Sequence, residues 1–297
     1  GYYAVNDRGV RGTAGANIFS LYVQDQWTVG DRLTLNLGLR TENETIPSFK
    51  TEILENAIQF GMGDKLAPRL GASYDVRGDG RLKLFGSWGR YHDWTKYELA
   101  RGSYGGDTWL VYYRGLDTLD IASLDLGNMP GPDLWLVPGA ARDRRVPNFS
   151  STDPDIKPMY QDSTSIGAEY QLNGNMTVGA HFVHNNLSRT IEDIGAVGAD
   201  GNEAYIIGNP GEGQARIQFP SGATPVGFEV PKPKRQYDAL QLTVNRRFAS
   251  NYFWSASYVW SRLYGNYSGI AASEEILPPT TGVSSATAQQ QTGNIAR

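Results

Sequence analysis

From Leu33 to Arg40 the chain alternates without a break, with Leu33, Leu35, Leu37 and Leu39 on one parity and Thr34, Asn36, Gly38 and Arg40 on the other. A period of two puts these sets on opposite faces of an extended strand, whereas a helix would scatter the leucines around its axis. The segment 17–29 repeats the pattern, with Phe19, Leu21, Val23, Trp27 and Val29 against Ser20, Tyr22, Gln24, Gln26 and Thr28. Gly30-Asp31 turns one strand into the next, which makes a hairpin.

Three further hairpins are predicted on the same grounds. They join 66–76 to 82–91 through Gly78-Asp79-Gly80, 161–172 to 176–184 through Asn173-Gly174-Asn175, and 237–248 to 252–264 through Ala249-Ser250-Asn251. The least regular strand is 82–91, where Phe85 breaks parity with Leu82, Leu84 and Trp88. Inside hairpins the connections take three to five residues, but between hairpins they occupy 42–65, 92–160 and 185–236. Soluble sandwiches do not segregate loop length in this way; outer-membrane barrels do, with short periplasmic turns and long extracellular loops. Strands of about 9 to 13 residues also fit the roughly 9 to 11 that cross a bilayer at a tilt. Trp27, Tyr74, Tyr170, Phe248 and Trp254 lie on the apolar parity near short turns, as an aromatic girdle would, and Trp88, Tyr258 and Trp260 supply a second girdle at the other strand ends. Asp238 and Arg246 share the apolar parity near strand ends, where a charge costs roughly 0 to 1 kcal/mol; Asp25 lies deeper and fits the scheme less well.

The expectation is an all-β chain, an antiparallel transmembrane β-barrel segment of about eight strands, forming one partial barrel domain over 1–297. Composition supports it. Seven Trp, 17 Tyr, 10 Phe and 35 Gly suit pleated surfaces and turns, and no apolar run approaches the 18 or so residues of a membrane helix. The net charge of −4 without any basic run argues against nucleic acid. Without cysteine the fold has no disulfide or zinc-thiolate site.

An ordered series of short motifs then carries a family resemblance: Tyr22-Val23-Gln24-Asp25-Gln26-Trp27, Asn36-Leu37-Gly38-Leu39-Arg40, Leu66-Ala67-Pro68-Arg69-Leu70-Gly71, Gly89-Arg90-Tyr91, Lys157-Pro158, Glu169-Tyr170, Arg189-Thr190-Ile191-Glu192-Asp193, Arg247-Phe248, Ser257-Tyr258, Ser261-Arg262 and Gly265-Asn266-Tyr267. Along most of its length the chain resembles the Oar-like branch of the TonB-dependent outer-membrane receptors. The resemblance implies a barrel of about twenty-two strands around an N-terminal plug. It also implies outer-membrane lipid, the TonB complex, the protein's own plug and a bulky solute (peptide, protein or carbohydrate) as partners. Plug and C-terminal strands are expected to lie outside these residues.

No catalytic motif, cofactor motif or metal-ligand set stands out. His181 and His184, three apart on a strand, face opposite sides, and His92 reads as an interfacial residue beside Asp93 and Trp94. Glu192-Asp193 and Glu274-Glu275 read as solvated loop charges, and Asp153 with Asp155 lacks the spaced ligands of a calcium loop. Trp109, Tyr112, Tyr113 and Trp135 in the longest connection are the candidate substrate-binding residues, since exposed aromatics suit sugars and peptides. Arg40, Arg69, Glu169, Gln171 and Arg247 face inward, to water or plug. Competing expectations are a self-contained eight-stranded barrel acting as adhesin or anchor, and a secreted soluble β-protein binding carbohydrate; the second would bury the leucine face between two sheets. An enzyme is the weakest alternative.

Overall fold

A computed structural model describes residues 2–10, 12–95, 97–115, 120, 142–143, 152–197, 203–213 and 231–267. In chain order its elements are β1 (Tyr2–Val10), β2 (Ser20–Val29), β3 (Leu33–Glu42), β4 (Glu44–Pro47), β5 (Asn56–Phe60), β6 (Ala67–Asp75), β7 (Leu82–His92), α1 (Tyr97–Ser103), β8 (Asp107–Gly115), β9 (Arg142–Asp143), β10 (Tyr160–Asn173), β11 (Met176–Arg189), β12 (Glu192–Val197), β13 (Glu203–Gly208), β14 (Arg235–Ala249) and β15 (Tyr252–Gly265). They fall into two compact units, one of residues 1–17, 45–59 and 96–150, the other of 18–44, 60–95 and 151–297.

The second unit holds an eight-stranded sheet in the order β15-β14-β11-β10-β7-β6-β3-β2, antiparallel throughout. Chain order and spatial order coincide, so the sheet is a meander whose four tight turns lie at one end. Each turn uses the chemistry its geometry demands. Ser250 and Asn251 both take positive φ (53° and 70°), as the two central residues of a type I′ hairpin must. At β6–β7 the Asp75 carboxylate accepts the amides of Arg77, Gly78 and Gly80 at 3.2, 2.9 and 2.8 Å. Among the described residues β2 and β15 each pair on one side only, so the eight strands do not close on themselves as a self-contained small barrel would.

One hydrogen-bonded row runs Leu33–Tyr74–Leu84–Ala168–Ala180–Leu242–Tyr258, apolar throughout. Another, further from the turns, runs Leu37–Leu70–Trp88–Thr164–His184–Asp238–Arg262 on the same face and changes from apolar to charged along its length. The turns shift likewise: the last cross-strand pairs are Val29–Leu33, Asp75–Lys83, Asn173–Met176 and Ala249–Tyr252, each further along the ladder than the one before. Apolar band and turns therefore step together, oblique to the hydrogen-bond rows. That offset is the stagger a sheet acquires when its strands tilt around a barrel axis.

The apolar face is bare. Leu84 is 45% exposed, Ile166 63%, Leu242 45% and Trp260 67%. A two-sheet soluble core would bury these side chains, which removes the sandwich alternative. The opposite face carries Asn36, Ser73, Ser87, Ser165, Gln241 and Thr243, interrupted by Gly38, Gly71, Gly89, Gly167 and Gly179. Phe85 belongs to this polar face, which explains its broken parity. Its ring occupies the space above Gly167, where an added Cβ would come within 2.4 Å of it. His181 lies beside the same ring, 5.5 Å between centroids.

The eight expected wall strands make up the eight-stranded sheet, and among the described residues the long connections add β1, β4, β5, β8, β9, β12, β13 and α1. The sheet strands also outrun their predicted ends: 176–184 becomes Met176–Arg189 and 237–248 becomes Arg235–Ala249. The ladder continues past the apolar band on polar pairs such as Asn186–Gln236, where alternation no longer marks a strand although backbone pairing persists.

Leu242→Arg in the full-length protein should lower stability in lipid by about 2 to 4 kcal/mol, and Gln241→Arg, one residue back and on the other face, by less than about 0.5 kcal/mol. Denaturant titration followed by heat-modifiable gel migration reads both; equal losses would refute the assignment of faces.

Candidate functional site

The end of the sheet away from the turns is built from polar ties. Lys65, immediately before β6, is fully buried, and its ammonium donates to Glu42 Oε1 at 2.9 Å and Glu44 Oε2 at 2.8 Å. Glu42 Oε1 also accepts the Trp94 indole N–H at 2.9 Å, Glu42 Oε2 accepts Arg40 at 3.1 Å, and Glu44 Oε1 accepts the Thr95 amide at 2.7 Å. This cluster fastens the chain leaving β3 to the chain leaving β7. Beside it His92 contacts the carbonyl oxygens of Met159 and Leu66, at 3.2 and 3.3 Å.

A second knot gathers the chain around β12, β13 and the end of β15. The Asn209 side chain accepts the Lys157 amide at 2.7 Å and donates to the carbonyls of Lys157 and Thr190 at 2.9 and 2.8 Å. Thr190 Oγ1 donates to the Tyr267 hydroxyl at 2.9 Å, and Tyr267 in turn bonds Glu192. Glu192, expected as a solvated charge, is buried at 4% exposure, and its Oε1 has no hydrogen-bond partner among the described residues. Burial pushes its carboxyl up to about 7, with Asp193 beside it adding to the shift while the Tyr267 hydroxyl opposes it. Burial also raises the Tyr267 phenol, helped by Glu192. Nearby, burial would raise the Glu212 carboxyl, but Arg189 at 3.0 Å and Lys232 at 3.2 Å hold it below its usual value.

Of the aromatic candidates, Trp109, Tyr112 and Tyr113 lie on β8, paired to β1 in the first unit. Trp109 donates its indole N–H to Asn6 Oδ1 at 2.8 Å and carries the Arg8 guanidinium 3.9 Å from its ring centroid. Tyr113 shares its face of the strand and Tyr112 takes the other. Trp135 and Glu274-Glu275 lie outside the described residues. Arg69 stacks on Tyr91 at 4.7 Å, and Glu169 stands opposite Lys83 in the ladder. His184 Nδ1 sits 2.6 Å from Asp238 Oδ1, giving the misfit aspartate a partner, while Asp25 accepts the Trp27 indole and the Gln26 amide of its own strand. Asp153 is buried, and its Oδ1 accepts the Asp155 amide at 2.9 Å, a turn cap. The Lys65 ion pairs and the Tyr267 bond of Glu192 carry no local sequence signal, because these partners lie 21 to 75 residues apart.

A tilted meander with a bare apolar band, tight turns at one end and polar ties at the other is the wall of a membrane barrel. The profile described as outer membrane beta barrel domain matches residues 3–295. This chain belongs to that family. The cell outer membrane is accordingly its location, and its apolar face is the outward, lipid-facing one. The barrel is also similar to the TonB-dependent transporter Oar of Myxococcus xanthus, at 30% identity over 268 residues, covering 84% of this chain and 23% of that protein. It thus spans under a quarter of that relative's length.

Two predictions follow from the ties. Lys65→Met should cost about 3 to 5 kcal/mol by stranding two buried carboxylates, and adding Glu42→Gln with Glu44→Gln should restore most of it; thermal unfolding of the full-length protein measures both. Glu192 holds its proton more tightly in the folded knot than in the unfolded chain, so its contribution is complete below about pH 4.5 and is lost as pH rises through about 7. Hydrogen exchange across 190–194 and 206–209, corrected for intrinsic rates, should show more protection at pH 5 than at pH 8, and Glu192→Gln should abolish the difference.

Proposed function

We propose that this chain is an interior stretch of the wall and outer rim of a TonB-dependent transporter, and that its work is structural and conductive rather than catalytic. The observation that carries this reading is that, among the described residues, β2 and β15 each pair on one side only, on a sheet whose outward face is apolar. An open strand edge in hydrocarbon leaves backbone amides and carbonyls unsatisfied at several kcal/mol each, so further strands must continue the ladder on both sides. The length of the similar transporter supports the same view.

In this reading the polar face lines the lumen and meets the plug, while the outer connections meet the solute first. Energy from the inner membrane arrives through TonB and the plug. Trp109, Tyr112, Tyr113 and Trp135 are proposed as contacts for a peptide, protein or carbohydrate.

The test is TonB dependence in cells. Deleting the gene and removing TonB should abolish the same solute movement, and Tyr112→Ala with Tyr113→Ala should weaken solute capture without reducing the amount of protein in the outer membrane. Recovery of the full-length protein from the soluble fraction, or transport that persists without TonB, would overturn the proposal.

A further inference from the structure

Beyond the apolar band a line of side chains ties the strand ends together independently of the backbone ladders. His92, the last residue of β7, reaches the carbonyls of Leu66 and Met159. The Met159 sulfur lies 3.6 Å from the Thr190 hydroxyl. Thr190 Oγ1 donates to the Tyr267 hydroxyl just past β15, and Tyr267 bonds Glu192, the first residue of β12. In the same stretch Ile191, Ile194, Ile206 and Ile207 are each 1% exposed or less, which keeps water from the knot. The hairpin of β12 and β13 also holds the chain ahead of β10. Thr152 bridges to Ile207, the Ile207 carbonyl accepts the Asp153 amide at 2.8 Å, and Asn209 Oδ1 accepts the Lys157 amide at 2.7 Å.

Glu192 is the misfit on this line. A carboxylate taken out of water needs a cation or several donors to hold its charge. Glu192 has the Tyr267 hydroxyl, yet its Oε1 has no hydrogen-bond partner and the side chain makes no ion pair among the described residues. The surrounding charges do not make up the difference. Asp193, its neighbour on β12, repels a second negative charge. Arg235 of β14 lies over the Tyr267 ring, 5.7 Å from its centroid. Arg189 at the end of β11 and Lys232 ahead of β14 are both bound to Glu212, at 3.0 and 3.2 Å. The chain ahead of β10 brings another buried acid, Asp153, and an exposed Lys157. Such a pocket accommodates a neutral acid and not a carboxylate.

We infer that Glu192 is a proton-operated latch: with its proton it keeps the β12–β13 hairpin and the chain 152–157 fastened at Tyr267, and without it the carboxylate moves out to water and this corner of the outer rim opens. The released proton goes to solvent, and no other group has to change charge. Burial pushes the Glu192 carboxyl up to about 7 from an ordinary 4.5. The sign follows from that direction: the fastened state has its full advantage below about pH 4.5 and has lost it once the pH has risen through about 7. The inference rests on the barrel reading only for placing the knot outside the hydrocarbon, and it holds whatever solute the wall conducts.

The test places a nitroxide at Asp155→Cys, an exposed site on the fastened chain, in the full-length protein with no other cysteine, reconstituted in phosphatidylcholine nanodiscs. Its electron paramagnetic resonance spectrum should be immobilised at about pH 5 and gain a mobile component that grows toward pH 7 and levels off above it. The ratio of mobile to immobile label should rise at least about tenfold and at most about 300-fold, the factor separating ionisation at about 7 from ionisation at 4.5. Glu192→Gln should remain immobilised across the range, a gain of order in alkali that misfolding cannot mimic. A wild-type spectrum indifferent to pH, a Glu192→Gln variant that is mobile in alkali, or a transition abolished by His92→Gln and kept in Glu192→Gln would each overturn the inference.

Discussion

A backbone amide in hydrocarbon has no water to turn to, and that constraint organises the rest of this molecule. The eight-stranded meander answers it with unbroken antiparallel ladders from β2 to β15, held in register by turns that each use a local device: a carboxylate over Gly78 and Gly80, or two positive-φ residues at Ser250 and Asn251. Once the ladders are fixed, every side chain is assigned to a face, and a slip of one residue would exchange lipid for lumen along a whole strand. The opposed characters of Leu242 and Gln241 show how narrow that margin is.

How much of this was legible in the sequence depends on which force wrote each part. Hydrophobic alternation and turn residues are local, so the eight wall strands and their hairpin turns can be read directly from Leu33–Arg40 and its counterparts. Where the wall rises past the hydrocarbon, pairing continues but alternation stops, and residues 185–189 of β11 look like loop. The short strands inside the long connections were hidden for another reason: β1 and β8 pair residues about a hundred positions apart. Phe85 looked like an error of parity until Gly167, on the neighbouring strand, supplied the space for its ring.

The candidate site was less legible than the wall. Trp109 was conspicuous by its type, yet its ring is engaged by Arg8 and Asn6. Lys65, Glu42 and Glu44 were inconspicuous and turn out to anchor the rim, because a buried cation between two carboxylates is defined only in three dimensions. Glu192 was misread for the same reason: a charge in a polar stretch looks solvated unless the residues that cover it, here Tyr267 and Thr190, can be seen.

The glycines of the inner face have a consequence for bore. Where Gly167 and Gly89 withhold a side chain, Phe85 and Tyr91 rest against the strand instead of standing upright from it. The wall thereby gains the stiffness of aromatic packing while surrendering little cross-section, so whatever occupies the interior meets a smooth, hydroxyl-rich and amide-rich lining rather than a row of projecting rings.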